Sequence, residues 1–191
     1  MKKALLIAIS AAVVMACVIG CQGMFGGKEI RIGAIFSITG DVAAYGQRTK
    51  KGFELAIDMI NKKGGINNKK IVAIIEDAKS QPKDAVAAYK KLISFDKVHI
   101  IVGDILSSTT MAIVPLINKD KVILFAPGAS NPKLKGASEY FFRNWTSDDF
   151  DGYAMAHYLY SNGITTVSVI VQNQDYALGL SDAFKREYVK L

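Results

Sequence analysis

The feature that most constrains the fold is a rhythm: short, continuous apolar runs alternate with stretches of helical period. Ile30–Phe36, Lys70–Glu76, Val98–Gly103 and Val122–Ala126 read as buried strands, with Tyr140–Arg143 and Val167–Val171 as shorter ones. Between them, helices are expected over Gln47–Lys63, Pro82–Phe95, Ser107–Asn118, Asp149–Ser161 and Leu178–Lys190. In the first of these, Phe53, Ala56, Ile57 and Ile60 make one apolar face, and Gly64-Gly65 stops the helix. Ser80 ahead of Pro82 is a cap and first-turn pair, and Pro115 is expected to kink or shorten its helix. Apolar strands alternating with amphipathic helices specify an α/β fold, a Rossmann-like parallel sheet sandwiched by helices, with right-handed crossovers. Half of the residues are hydrophobic, enough for a packed core.

The N-terminus is of a different kind. Lys2 and Lys3 precede an apolar run, Ala4–Gly20, that closes on Val18-Ile19-Gly20-Cys21. A positive start, a short apolar core and small residues before a cut form an export signal. The Cys resembles the lipobox of bacterial lipoproteins, which implies acylation of Cys21 and an extracytoplasmic chain tethered to a membrane. An ordinary transmembrane anchor is the alternative, at the short end of the lengths that span a bilayer. The only cysteines are Cys17 and Cys21, so the body holds no disulfide and no thiolate metal site. The expected organisation is a signal peptide over 1–20, a tether over 21–29, a first α/β lobe over 30–140 and the start of a second lobe over 141–191. The formal net charge is +7, but the lysines fall in scattered pairs. No basic stripe is joined to a reading motif, which argues against nucleic acid as a partner.

Ligands of doubly wound sheets sit beyond the carboxyl ends of the strands. Two loops there carry suitable chemistry. Asp104–Thr110 follows a strand and opens a helix; the Ser107 hydroxyl can cap that helix, and the free N–H groups beside it suit an anion. Pro127–Pro132 follows the next strand, so it lies beside the first; its small residues permit close backbone approach, Ser130 adds a hydroxyl and Gly128 a free carbonyl. Read alone, the first loop has plain N-capping as its alternative and the second a tight surface turn. Tyr45 and Tyr176 stand on loops and offer a flat apolar face with a polar tip. Nucleotide-cradling glycine motifs and the hydrolase nucleophile elbow are absent, and His99 and His157 lie far apart without cysteine support for a metal. No cofactor is indicated. Asp148, Asp149 and Asp151 crowd a helix start, where the helix dipole favours them.

From Ile30 onward these segments, in this order, resemble the periplasmic branched-chain amino-acid-binding proteins, solute receptors of ABC importers. The resemblance rests on Ile32-Gly33-Ala34, Thr39-Gly40 with Tyr45-Gly46, Ala56-Ile57-Asp58 through Gly64-Gly65-Ile66, Glu76-Asp77 with Pro82, Val102-Gly103 with Ser107-Ser108, Ala126–Ser130, and Asp175-Tyr176 with Gly179. It implies a type I periplasmic-binding-protein fold, no enzymatic activity, a small amino acid as ligand and ABC permease subunits as partners. It makes Tyr45, Ser107, Ser108, Gly128, Ala129, Ser130 and Tyr176 the ligand-binding set, with Ser107 and Ser130 on the α-carboxylate, the Gly128 carbonyl and Ser130 on the ammonium, and the tyrosines as walls. Gly128 and Ser130 stand where the family often has Ala and Thr. Family members are roughly twice as long, so the resemblance also implies an incomplete second lobe and weak or absent binding by this chain alone. A lipid-tethered sensor of the same fold, or an exported hydrolase, are the rival readings.

Overall fold

A computed structural model of the protein describes residues 29–191. The expected signal, the lipid site Cys21 and the tether as far as Lys28 lie outside the described residues. Five parallel strands form one sheet in the order β2-β1-β3-β4-β5. They are β1 (Glu29–Phe36), β2 (Lys70–Asp77), β3 (Ile100–Val102), β4 (Ile123–Ala126) and β5 (Phe141–Arg143). The β1–β2 ladder runs from Glu29↔Lys70 to Phe36↔Asp77 without a break. β3 takes the other side of β1 through Gly33↔Ile101 and Ala34↔Val102. The chain therefore reverses direction across the sheet between β1 and β3, the switch point at which such sheets open a crevice.

The helices are α1 (Ala43–Lys62), α2 (Pro82–Ser94), α3 (Ser107–Asp120), α4 (Asp148–Ser161) and α5 (Asp175–Tyr188), with a 3₁₀ turn at Pro132–Leu134. α2 and α3 cover one face of the sheet. Ala85, Ala88, Tyr89 and Leu92 of α2 and Ile113 and Ile117 of α3 bury Ile35, Ile101 and Leu124. α1 lies on the other face, where Phe53 meets Phe36 edge to face at 5.6 Å. Its apolar face is less buried than the helical period suggests: Phe53 and Ile57 are half-buried, whereas Ala56 and Ile60 are exposed. Asn61 near its end bonds both backbone groups of Ile71, at 2.8 and 2.7 Å, and so ties α1 to the edge strand.

Several local expectations are corrected. β3 is shorter than Val98–Gly103, and His99 is exposed just ahead of it rather than within a strand. α2 is capped from Gln81, not Ser80; the Ser80 hydroxyl instead accepts from the Val42 N–H (3.2 Å) and donates to the Thr39 carbonyl (3.0 Å), joining two loops. α3 runs through Pro115 to Asp120 and stops at Lys121 in the left-handed region, φ 54°. Phe141–Arg143 pairs with β4, so the expected 140/141 division falls at the edge of the first sheet's own last strand.

Val167–Val171 is not a strand. Extended backbone needs a neighbour for its N–H and C=O groups. Among the described residues all five strands belong to the first sheet, and Ile170 is 98% exposed. What this part of the chain does contain is a helix pair. α4 and α5 approach so closely at Gly152 that an added Cβ would lie 2.6 Å from the Phe184 nitrogen.

Candidate functional site

The site is built from strand ends. Asp77 closes β2, and its carboxylate accepts from the N–H groups of Ile38, Thr39 and Lys79 at 3.0, 3.2 and 2.8 Å and from the Thr39 hydroxyl at 2.6 Å. Burial pushes this carboxyl up, but those donors together outweigh it and hold it below the usual range. Asp104, fully buried after β3, accepts from the Ser37 hydroxyl (2.6 Å), the Thr109 hydroxyl (2.9 Å) and the Ile105 N–H (2.6 Å). Here burial wins, and the carboxyl lies above its usual range despite its donors. Asp77 thus fastens the loop after β1 to the loop after β2, and Asp104 fastens it to the loop after β3. Gly103 makes the junction possible: its φ is 128°, and an added Cβ would sit 1.8 Å from the Ile35 carbonyl oxygen.

The loops after β3 and β4 lie side by side. The Asn131 N–H donates to the Ser107 hydroxyl at 3.2 Å, and a Cβ on Gly128 would come within 3.1 Å of the Ile105 Cα. Between them and the second group of helices lies a cavity of about 530 Å³, lined by Tyr45, Ser107, Gly128, Ser130 and Tyr176 together with Val42, Ile105, Leu106, Trp145 and Gln174 among others. Five of the seven expected residues therefore meet in one cavity. Ser108 does not line it; it faces the adjoining cavity between the Asp41–Val42 and Ser80–Pro82 loops and Gln174. Ala129 is wholly buried, in a cluster with Val114, Ala126 and Leu134. The two tyrosines are not on loops. Tyr45 is in the first turn of α1 and Tyr176 in the first turn of α5, because both helices begin earlier than their apolar periodicity reveals.

Ser107 is the first residue of α3 and not its cap; Leu106 holds the cap position without any side-chain bond. The first N–H groups of a helix have no partner within it. α3 therefore begins with unpartnered N–H groups at Ser107, which lines the cavity, and with the positive end of the helix dipole there. The two serine hydroxyls differ in polarity. Ser107 Oγ accepts from Asn131 and keeps its own proton free to donate. Ser130 Oγ donates its one proton to Asp148 at 2.9 Å, leaving lone pairs to accept. One side of the site thus offers donors and the other acceptors, as a zwitterion's headgroup requires.

Asp148 and Trp145 are the residues that sequence reasoning missed. Asp148 does stand at a helix start, in the first turn of α4, but it is also buried against Ser130 and takes that residue's carbonyl through its N–H at 3.1 Å. Burial raises its carboxyl above the usual range, reinforced by Asp151 and Asp149 and opposed by the Ser130 bond and Arg143. The signal for Trp145 was its place: the chain's one tryptophan, just beyond a strand's carboxyl end. His157, which lacks an acidic partner on its own helix, finds Glu187 of α5 at 3.1 Å. Among the described residues no three His, Cys, Asp or Glu side chains gather as metal ligands, and no helix is long and apolar enough to cross a membrane.

A doubly wound sheet with small-residue loop crests over a crevice, and a helix pair above them, is the arrangement in which open α/β sheets take ligands. Residues 29–190 match the periplasmic binding proteins, and the chain belongs to that family. It is 34% identical over 159 residues to Leu/Ile/Val-binding protein homolog 3 of Brucella melitensis, covering 82% of this chain and 43% of that protein. It is likewise 34% identical to the Leu/Ile/Val-binding protein BraC3 of Rhizobium johnstonii, with the same coverage. Among solved structures, the leucine-binding protein LivK of Thermotoga maritima superposes with a TM-score of 0.77 at 28% identity, over 84% of this chain and 46% of that one. LivJ of Streptococcus pneumoniae, solved in complex with isoleucine, gives 0.76 at 33% identity, over 84% and 47%. The chain thus spans less than half the length of these relatives. Their shared fold is the type I periplasmic-binding-protein lobe seen here, and family members are solute-binding proteins.

Proposed function

We propose that this chain supplies the headgroup-binding half of a non-enzymatic receptor for a small, uncharged amino acid, branched-chain ones foremost, serving an ABC importer. The observation that carries the reading is the donor–acceptor split across one cavity. Ser107 and the free N–H groups at the start of α3 receive the α-carboxylate, the Ser130 N–H adds a donor, and the Gly128 carbonyl and Ser130 Oγ accept from the ammonium. Val42, Ile105, Leu106 and the rings of Tyr45, Trp145 and Tyr176 leave an apolar space for the side chain. No covalent step is needed, and closure of the walls would present the loaded form to permease subunits. The relatives named for leucine, isoleucine and valine support this ligand class. The export signal and the lipobox-like Cys21 support an extracytoplasmic, lipid-anchored receptor.

Calorimetric titration with L-leucine, L-isoleucine and L-valine tests the reading. With less than half of its relatives' length present, the chain is expected to bind weakly but saturably, and Ser107→Ala to weaken that binding about tenfold, the value of one hydrogen bond to a charged group. Equal affinity in wild type and Ser107→Ala would contradict it.

A further inference from the structure

Arg143, the last residue of β5, stands behind the loop crest and does not line the cavity. Its Nη1 donates to the carbonyl of Ala129 and to that of Asn131, each at 3.1 Å. Those carbonyls flank Ser130 on both sides. Ser130 itself is held through its carbonyl and its hydroxyl by Asp148, and the Asn131 N–H reaches across to Ser107. One guanidinium therefore sits at the centre of the connections joining both serines. Arg143 is half-buried; burial draws its pKa down, while Asp148 and Asp149 oppose that shift.

We infer that Arg143 is a positioning residue for ligand binding: it clamps the backbone on either side of Ser130, so that the Ser130 N–H and the Gly128 carbonyl point together into the cavity. The inference rests on the solute-receptor reading above. A charged planar donor suits the task because it satisfies two carbonyls at once without a side chain entering the ligand space. Methionine at this position keeps an apolar stem but leaves the Ala129 carbonyl without its donor and the Asn131 carbonyl with the Leu134 N–H alone. Lysine restores a charged donor on a different stem. Since the clamp acts only on the headgroup contacts, its loss must be felt alike by every amino acid that shares that headgroup.

The test is Arg143→Met and Arg143→Lys in the full chain, read by calorimetry and by ¹⁵N–¹H correlation spectra. Arg143→Met is expected to weaken L-leucine, L-isoleucine and L-valine by the same factor, about tenfold, while Arg143→Lys recovers most of the loss. Without ligand, Arg143→Met is expected to shift the amides of Ala129, Ser130, Asn131 and Ser107 and the Trp145 indole, leaving β1 and β2 unmoved. Losses that differ between the three amino acids, or a Met variant whose loop resonances match wild type, would overturn the inference. If wild type binds none of the three, the receptor reading fails for this chain, and the ligand-free spectra still decide whether Arg143 holds the loop. If Arg143→Met does not fold, Arg143→Gln, an uncharged donor on a shorter stem, decides: weakened binding with shifted loop amides supports the clamp, and unchanged affinity with unchanged loop amides overturns it.

Discussion

Asp148 sits one hydrogen bond away from the ligand space, and its protonation state decides what Ser130 can do. Ionised, it takes the hydroxyl proton and turns the Ser130 lone pairs toward the cavity. Burial and the neighbouring Asp151 raise its carboxyl above 3.8, so protonation comes at a higher pH than for an ordinary aspartate. Affinity for a zwitterionic ligand is therefore expected to be level above that raised pKa and to fall as pH drops through it, well before the ligand's own carboxylate titrates. Calorimetry as a function of pH checks this, and Asp148→Asn is expected to flatten the profile. At this scale the sequence was legible where residue type alone sufficed: Ser107, Gly128 and Ser130 are where small polar loop residues after adjacent strands should be. It was opaque where a role depends on a partner distant in the chain. A carboxylate at a helix start is favoured by the helix dipole whatever else it does, so nothing local distinguished Asp148 from Asp149. The same holds for Arg143, whose partners are main-chain carbonyls.

At the scale of elements, strand-end aspartates do the fastening. Asp104 gathers Ser37, Ile105 and Thr109 around a buried carboxylate at the point where β1 and β3 diverge. Asp104→Ala strands the Ser37 hydroxyl and the N–H groups of Ser37 and Ile105, while the Thr109 hydroxyl keeps the Leu106 carbonyl, and chemical denaturation is expected to show a loss of about 3 kcal/mol. A loss below about 1 kcal/mol, the size of an ordinary surface change, would contradict that role. Because its folded pKa is raised, Asp104 also makes the fold less stable as pH climbs from below 3.8 through that pKa: the unfolded chain ionises first. The strands of the first sheet were readable because each is a continuous apolar run that finds neighbours. Val167–Val171 has the same composition and no neighbour among the described residues, so β propensity alone does not make it a strand. The early starts of α1 and α5 are not legible in the sequence because their first turns carry tyrosines that line a cavity, and the apolar period begins only later.

Across the described residues as a whole, a five-stranded sheet carries a crevice, and a helix pair reaches over it. α5 is anchored to the crest loop directly: Asn131 Nδ2 donates to the Asp175 carbonyl at 2.5 Å, and Gly179 lets α5 lie against the Asn131 side chain. That contact brings Tyr176 to the cavity that Ser107 and Ser130 line from the other side. Fold class and the positions of the two crests followed from the alternation of strands and helices. The way the second group of helices folds back onto the first lobe did not, because it depends on contacts between residues far apart in the chain. The most direct test of the two-crest site is an amide-resolved titration of the ¹⁵N-labelled chain with L-leucine, which detects binding even in the millimolar range. Saturable shifts are expected at Ser107, Ser108, Gly128 and Ser130, with the Trp145 indole moving in step. Shifts centred elsewhere, or a spectrum that does not change with ligand, would contradict it.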